Sequence, residues 1–215
     1  MLEELKKEVL RVSRLAEDSQ LCQHGGGNFS MMDREKGLIA ITPHAESRYA
    51  ITDDDIIIVN TEGEIIENIG NLTPSSETVV HLEVLNNRKD INAVAHTHAR
   101  NAATFAVLNK EIKPILCEAL FYGGVCRVAP FEVPGTIEFA RSVVKGLEGT
   151  YAAVLEKHGL VTIGENIYDA YLKTLYVEEV GGILLQAAAI VGYDNVEAIP
   201  DDMLDYLQNV AHIVG

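Results

Sequence analysis

The stretch Ile91-Asn92-Ala93-Val94-Ala95-His96-Thr97-His98 runs from an apolar segment straight into a pair of histidines. Its composition predicts a buried strand, and residues two apart in a strand point to the same face. His96 and His98 would therefore lie side by side at the end of the strand. Zinc accepts such a pair of imidazoles readily. The alternative, two histidines that bond only to solvent or backbone, stays open on this spacing alone.

A third histidine improves the case for a metal site. His158 interrupts an apolar stretch and precedes Gly159, where the missing side chain lets the backbone approach a site closely. We interpret His158 as the third ligand, because three neutral imidazoles would leave zinc an open position for a substrate, as in catalytic zinc sites. Taken alone, His158 is equally well explained as a hydrogen-bonded turn histidine.

A cluster of polar residues precedes a predicted helix that runs to about residue 87. Thr73-Pro74-Ser75-Ser76-Glu77 places the two serine hydroxyls, exposed amides and a carboxylate in one turn. This composition suits an anionic substrate beside a general base, although helix capping by Glu77 is the simpler alternative. His81 shares the helix face of Glu77, and we interpret it as a core or supporting histidine rather than a ligand. The run Gly25–Asn28 offers backbone amides to a phosphate, but glycines also cluster in ordinary turns.

Strand and helix patterns alternate along the rest of the chain, which predicts an α/β or α+β fold. Nothing resembles a repeat or a linker, so we expect a single domain over residues 1–215. The remaining predicted elements are an opening amphipathic helix, a tight loop over 23–30, strands at 38–42, 56–60, 65–66, 114–116, 125–129, 151–155 and 160–163, and helices after residue 97, at 136–147 and at 168–191.

Composition excludes several classes of protein. A chain of 215 residues that is 47% hydrophobic can bury one substantial core. Its formal net charge of −15 disfavours nucleic acid and anionic membrane surfaces as partners. We expect no membrane span, because the longest uncharged apolar stretch, 180–193, is shorter than the roughly 20 residues required. With no secretory signal pattern and three cysteines at unrelated spacings, the chain is expected to be cytoplasmic.

Five motifs in a fixed order resemble those of the class II aldolase and adducin head family, in particular its fuculose-phosphate aldolases. The resemblance implies a three-layer α/β/α sandwich around a mainly antiparallel sheet. It also implies a homotetramer with active sites between neighbouring subunits. The motifs are Gly27-Asn28-Phe29-Ser30, Ile41-Thr42-Pro43, Pro74-Ser75-Ser76-Glu77, His96-Thr97-His98 and His158-Gly159-Leu160.

The same resemblance implies a reaction: reversible cleavage of a ketose 1-phosphate, such as L-fuculose 1-phosphate, to dihydroxyacetone phosphate and a short aldehyde such as lactaldehyde. Zinc would act as the Lewis acid, although Co²⁺ or Mn²⁺ fits the same imidazoles. The roles implied are metal binding for His96, His98 and His158, proton transfer for Glu77, and phosphate binding for Gly27, Asn28, Thr42, Ser75 and Ser76.

The chain departs from the family's pattern at two places. Sugar-phosphate members follow Thr-Pro with a small residue and a glycine, whereas this chain has His44-Ala45. The aldolases also place a tyrosine that reaches the neighbouring site at the position of Cys117. Glu118 or Tyr122 are alternatives in a shifted register, and Tyr206 is the candidate for a carboxy-terminal tyrosine. The aldehyde partner therefore stays undetermined.

Other functions compete with this reading. A pentulose-5-phosphate 4-epimerase of the family would carry aspartate at the position of Glu77, so the glutamate favours an aldolase. Decarboxylases and dehydratases of the family share the histidines. A non-enzymatic, adducin-like interaction protein is disfavoured by the intact histidines and glutamate. A cupin oxygenase also uses a histidine pair, but that fold is all β, which the helical patterns contradict.

Overall fold

The computed structural model describes residues 2–44 and 47–214, which form one eight-stranded sheet covered by helices on both faces. The strand order is β4-β3-β2-β1-β5-β8-β7-β6, and every neighbouring pair is antiparallel except β6 with β7. The strands are β1 Asn28–Asp33, β2 Leu38–Ile41, β3 Ile57–Asn60, β4 Ile65–Glu67, β5 Ala93–Thr97, β6 Arg127–Ala129, β7 Ala152–Leu155 and β8 Gly159–Gly164.

The helices make the two outer layers. Helices α1, α3 and α5 pack on one face of the sheet, and α2 and α4 pack together on the other. The predicted three-layer α/β/α sandwich with a mainly antiparallel sheet is therefore confirmed. The helices are α1 Glu3–Asp18, α2 Thr78–Asn87, α3 Arg100–Leu108, α4 Ile137–Gly146, α5 Ile167–Val191 and α6 Asp201–Val214.

Strand β5 lies at the centre of the sheet and is buried along its whole length. Ala93 and Ala95 face the α1/α3/α5 layer, and Val94 faces the α2/α4 layer. Since both faces are covered, the strand is apolar almost throughout. Its neighbours are β1 and β8, in a register that places His96 opposite both Asn28 and Val161. The glycine-rich run and the turn that carries His158 thus meet at one end of β5.

Helix α5 is long and apolar enough to cross a membrane, judged by length and composition. However, one side of it packs against β8, β5 and α3, which is the behaviour of a core helix. Gly181 and Gly182 allow the close approach of α3, since a Cβ at Gly182 would lie 2.6 Å from Asn101 Nδ2. We therefore interpret α5 as the central helix of the fold.

Two predicted segments differ from the structure, and helix α6 was not predicted from the sequence. The loop expected over 23–30 ends earlier, because β1 begins at Asn28 and pairs with both β2 and β5. The polar residues Asn28 and Ser30 interrupt the apolar pattern of this strand, although both are buried and hydrogen-bonded. The strand predicted at 114–116 is absent from the described residues; a single bridge joins Ile112 to Cys126, and a short helical turn follows.

Candidate active site

Three histidines meet at the end of β5. His96 is near the end of the strand, His98 follows it directly, and His158 lies in the turn between β7 and β8. One nitrogen from each ring lies within 4.8 Å of the others, and His96 Nε2 is 3.2 Å from His98 Nε2. The two-residue spacing therefore does bring the pair together, and the third histidine joins them as expected.

Two glycines let the backbone close around this cluster. A Cβ at Gly159 would collide with the Thr97 carbonyl oxygen and lie 3.0 Å from the His98 ring. A Cβ at Gly26 would lie 2.6 Å from His98 Nδ1. Real Cβ atoms do not approach other atoms this closely. Packing against the histidines therefore requires glycine at positions 26 and 159.

The chemistry of the cluster fits a divalent metal. His96 Nδ1 donates to the Leu160 carbonyl at 3.0 Å, which leaves Nε2 free to accept an ion. Burial lowers the pKa of His96 to about 3 and also lowers that of His98, so both rings are neutral, as ligands must be. Glu77 Oε1, which faces the cluster, is buried and has no hydrogen-bond partner among the described residues. Unsatisfied polar atoms of this kind are what a bound ion would satisfy.

Glu77 faces the histidines. It is the residue just before α2, where a carboxylate often caps the helix, but its side chain makes no such bond. Instead Oε2 lies 3.3 Å from His96 Nε2 and Oε1 lies 3.5 Å from His158 Nε2. Burial tends to raise the pKa of Glu77, whereas the hydrogen bond from Asn28 favours the ionised carboxylate, and the pKa lies below its usual value. The group is therefore ionised at neutral pH.

A buried chain of hydrogen bonds holds this carboxylate. Asn28 Nδ2 donates to Glu77 Oε2 at 2.8 Å, while Asn28 Oδ1 accepts from His81 Nε2. His81 Nδ1 in turn accepts from Ser30 Oγ at 2.6 Å. Burial lowers the pKa of His81 to about 4, so the ring is neutral with its proton on Nε2. His81 supports the site, as its helix position suggested.

The cluster opens into a cleft of ≈ 240 Å³. Gly27, Asn28, Ser75 and Ser76 line it, together with Glu77, His98 and His158. Thr42 does not: it is fully buried, and its Oγ1 accepts from the Phe29 amide at 3.1 Å. At His44-Ala45 the sequence departs from the family's pattern. His44 lines the cleft, while Ala45 lies outside the described residues.

The cleft also contains Arg48, which the sequence did not single out. Its Nη2 donates to the Gly27 carbonyl and its Nη1 to the Pro43 carbonyl. Since one arginine in a polar turn has no periodicity or spacing to mark it, only the fold could reveal its place.

The residues considered as counterparts of the family's tyrosines differ in how exposed they are. Tyr122 is fully buried, and burial raises the pKa of its hydroxyl. It is therefore unsuited to reach a neighbouring subunit. Cys117 is exposed and Glu118 half-buried, and Tyr206 on α6 is 61% exposed. Helix α6 packs on the Cys117–Tyr122 turn, so these remaining candidates lie in one part of the molecule.

Comparison with known proteins decides the family. The domain described as Class II Aldolase and Adducin N-terminal domain matches residues 7–185. The chain belongs to the class II aldolase family. It is 33% identical over 207 residues to a 5-deoxy-D-ribulose 1-phosphate aldolase of Bacillus thuringiensis, covering 96% of this chain and 95% of that one. It is 35% identical over 173 residues to an L-fuculose phosphate aldolase of Methanococcus maripaludis, covering 80% and 92% of the two chains.

A solved structure extends the likeness to the whole fold. An L-fuculose 1-phosphate aldolase superposes with a TM-score of 0.92 at 28% identity, covering 97% of this chain and 96% of that one. This class II aldolase is therefore an enzyme of the aldehyde-lyase type, and its relatives act on sugar phosphates.

Proposed function

We propose that this class II aldolase reversibly cleaves a ketose 1-phosphate to dihydroxyacetone phosphate and a short aldehyde, with a divalent metal, zinc first, as cofactor. The observation that carries the proposal is the meeting of three histidines with an ionised, partly unsatisfied glutamate beside a small polar cleft. The names of the relatives support a sugar 1-phosphate substrate. The cytoplasm and a homotetramer complete the proposal.

His96, His98 and His158 would hold the metal. When bound there, the ion supplies Lewis-acid stabilisation of the negative charge that develops on the substrate's oxygens. Zinc is the first choice for three imidazoles, and Co²⁺ or Mn²⁺ are the alternatives.

Glu77 would move the proton. In the synthetic direction its carboxylate accepts a proton from the carbon of dihydroxyacetone phosphate that attacks the aldehyde, and in cleavage it returns that proton. Its ionised state makes it ready to accept, and the hydrogen bond from Asn28 fixes the direction in which it faces.

The cleft beside Glu77 would take the phosphate. The hydroxyls of Ser75 and Ser76 and the backbone of Gly27 line it. Asn28 would contribute through the second hydrogen of its amide, since the first is given to Glu77. Thr42 would act indirectly, because its hydroxyl holds the Phe29 amide at the start of β1.

Product analysis tests the proposal. Purified enzyme loaded with zinc is given L-fuculose 1-phosphate or 5-deoxy-D-ribulose 1-phosphate, since relatives acting on each are similarly close. Release of dihydroxyacetone phosphate, with the matching aldehyde, from at least one substrate is expected, and chelation should abolish it. Epimerisation of a pentulose phosphate or release of carbon dioxide from a related acid, with no cleavage of either ketose, would refute the proposal.

A further inference from the structure

Arg48 is a buried arginine that forms no ion pair with a carboxylate of residues 2–44 and 47–214. It is 2% exposed, and no carboxylate of the described residues forms an ion pair with its guanidinium. Its two hydrogen bonds go to backbone carbonyls of Gly27 and Pro43. Glu17 is near, but its oxygens accept from Ser47 Oγ and from the Arg48 backbone amide. A buried guanidinium that makes no ion pair within the described residues is costly, and an anion bound in the cleft would offset that cost.

The position of Arg48 points to the missing partner. It lines the same cleft as Ser75, Ser76 and the histidines, and among the described lining residues it is the sole lysine or arginine. The bridge between Pro43 and Pro74, with the bond from the His44 amide to Thr73, draws the two walls together around it. The chain is strongly acidic as a whole, so an anion in this cleft needs a local positive group.

The guanidinium is also held in place in advance. Glu17 Oε2 accepts from the Arg48 amide at 2.6 Å, and Ser47 Oγ, which accepts from the Tyr49 amide, donates to Glu17 Oε1 at 2.7 Å. This ties the turn to α1. Since a planar guanidinium offers several donors in fixed directions, it suits phosphate oxygens better than a lysine would.

We propose that Arg48 binds the phosphate group of the substrate and so sets the preference for phosphorylated over neutral ketoses. This inference rests on the proposed function for the nature of the substrate. It adds to that function the one permanent positive charge of the described part of the cleft.

The first test compares Arg48→Met with Arg141→Met, which removes the same charge from an exposed position on α4. Arg48→Met should raise the KM for dihydroxyacetone phosphate in proton exchange about 30-fold, with a smaller change in kcat. The preference for this substrate over dihydroxyacetone should fall by a similar factor. Arg48→Lys should recover part of the loss. Equal KM values in Arg48→Met and Arg141→Met would overturn the proposal.

A second test follows binding in the wild-type protein and does not depend on turnover. Titration with inorganic phosphate should shift the NMR signal of the Arg48 Nε–H group, assigned by its absence in Arg48→Lys. An unshifted signal under saturating phosphate, or a shift with acetate and none with phosphate, would overturn the proposal. A phosphate-dependent shift in a protein without aldol activity would instead leave Arg48 as the anion site and refute the proposed reaction.

Discussion

Two concave regions of the class II aldolase differ in how their charged groups are satisfied. The larger, of ≈ 760 Å³, is lined by Asp90, Tyr151, Asp169 and Lys173 among others, and we call it the acidic groove. The smaller is the cleft of ≈ 240 Å³ at the histidine cluster. Volume alone would favour the groove as the functional site.

In the acidic groove two of the lining carboxylates are paired with cations. Asp90 pairs with Arg88 at 2.7 Å, and Asp169 pairs with Lys173 at 2.5 Å. Both cations also lie over the ring of Tyr151. In the cleft, by contrast, the described residues leave buried atoms of Glu77 and His158 without hydrogen-bond partners and Arg48 without an ion pair. Polar groups left unsatisfied at a cost to stability, rather than space, identify the site.

The largest expected effect comes from removing a histidine. His96→Ala should lose stoichiometric zinc and reduce aldol cleavage by about 10⁴-fold or more, because both the ion and its charge stabilisation disappear. Asp169→Ala in the acidic groove is the matched control and should keep both. Metal analysis by mass spectrometry measures the first quantity. Full zinc content in His96→Ala would contradict the ligand assignment.

Next in size is the effect of neutralising the glutamate. Glu77→Gln keeps the shape of the side chain but cannot accept a proton, so exchange into dihydroxyacetone phosphate should slow by about 10³-fold. Zinc should stay bound, since the three histidines are intact. Exchange at the wild-type rate would remove Glu77 from the mechanism.

The buried hydrogen-bond chain behind Glu77 should matter less. His81→Phe removes the donor to Asn28, so kcat should fall about 10- to 100-fold while zinc is retained, because the direction of the carboxylate is no longer fixed. His81→Gln keeps a donor and should recover part of the loss. If His81→Phe lost stability but kept kcat, the histidine would be a packing residue only.

The pH dependence of stability follows from the buried histidines. The pKa of His81 is lowered to about 4 and that of His96 to about 3, so below about pH 6.5 the unfolded chain binds protons that the folded chain does not. The free energy of unfolding of chelator-treated protein should therefore fall on the order of 2–3 kcal/mol per pH unit between pH 6 and 4.5. Urea titrations measure it. For His81→Gln the change per pH unit should be about half as large. A wild-type free energy of unfolding that stays constant over this pH range would refute the lowered pKa values of the two histidines.

The smallest effect is expected in the acidic groove. Lys173→Met removes one partner of the ion pair with Asp169, which is partly exposed. The free energy of unfolding should therefore change by about 1 kcal/mol. Aldol cleavage should stay within about twofold of wild type. A large loss of activity without unfolding would show that the groove takes part in catalysis and that the contrast between the two regions is wrong.

Local patterns were enough to predict much of the fold. The apolar run around Ile91–Thr97 predicted β5, and the turn after Asn60 predicted the β3–β4 hairpin. The central strand β1 was missed because Asn28 and Ser30 interrupt its apolar pattern. Both side chains are buried and belong to the hydrogen-bond chain that includes His81. This chain joins residues about 50 positions apart, so no local sequence pattern marks it.

The site was predicted where a motif was short and ordered, and missed where contacts span distant segments. The histidine cluster and Glu77 were found from their motifs. Arg48 reaches the cleft through a turn tied to α1, so its role depends on the arrangement of three distant segments. The burial of Tyr122, which removes it as an intersubunit residue, likewise depends on how the whole sheet is covered.

Proton exchange tests the central claim most directly. Dihydroxyacetone phosphate is incubated with the enzyme in deuterium oxide and followed by NMR, with metal content measured on the same sample. We predict that exchange at one carbon-bound position occurs with the metal-loaded enzyme, stops on chelation and returns when zinc is added. No exchange by a folded, fully metal-loaded enzyme would contradict the account, because Glu77 would then have no proton to move in this substrate.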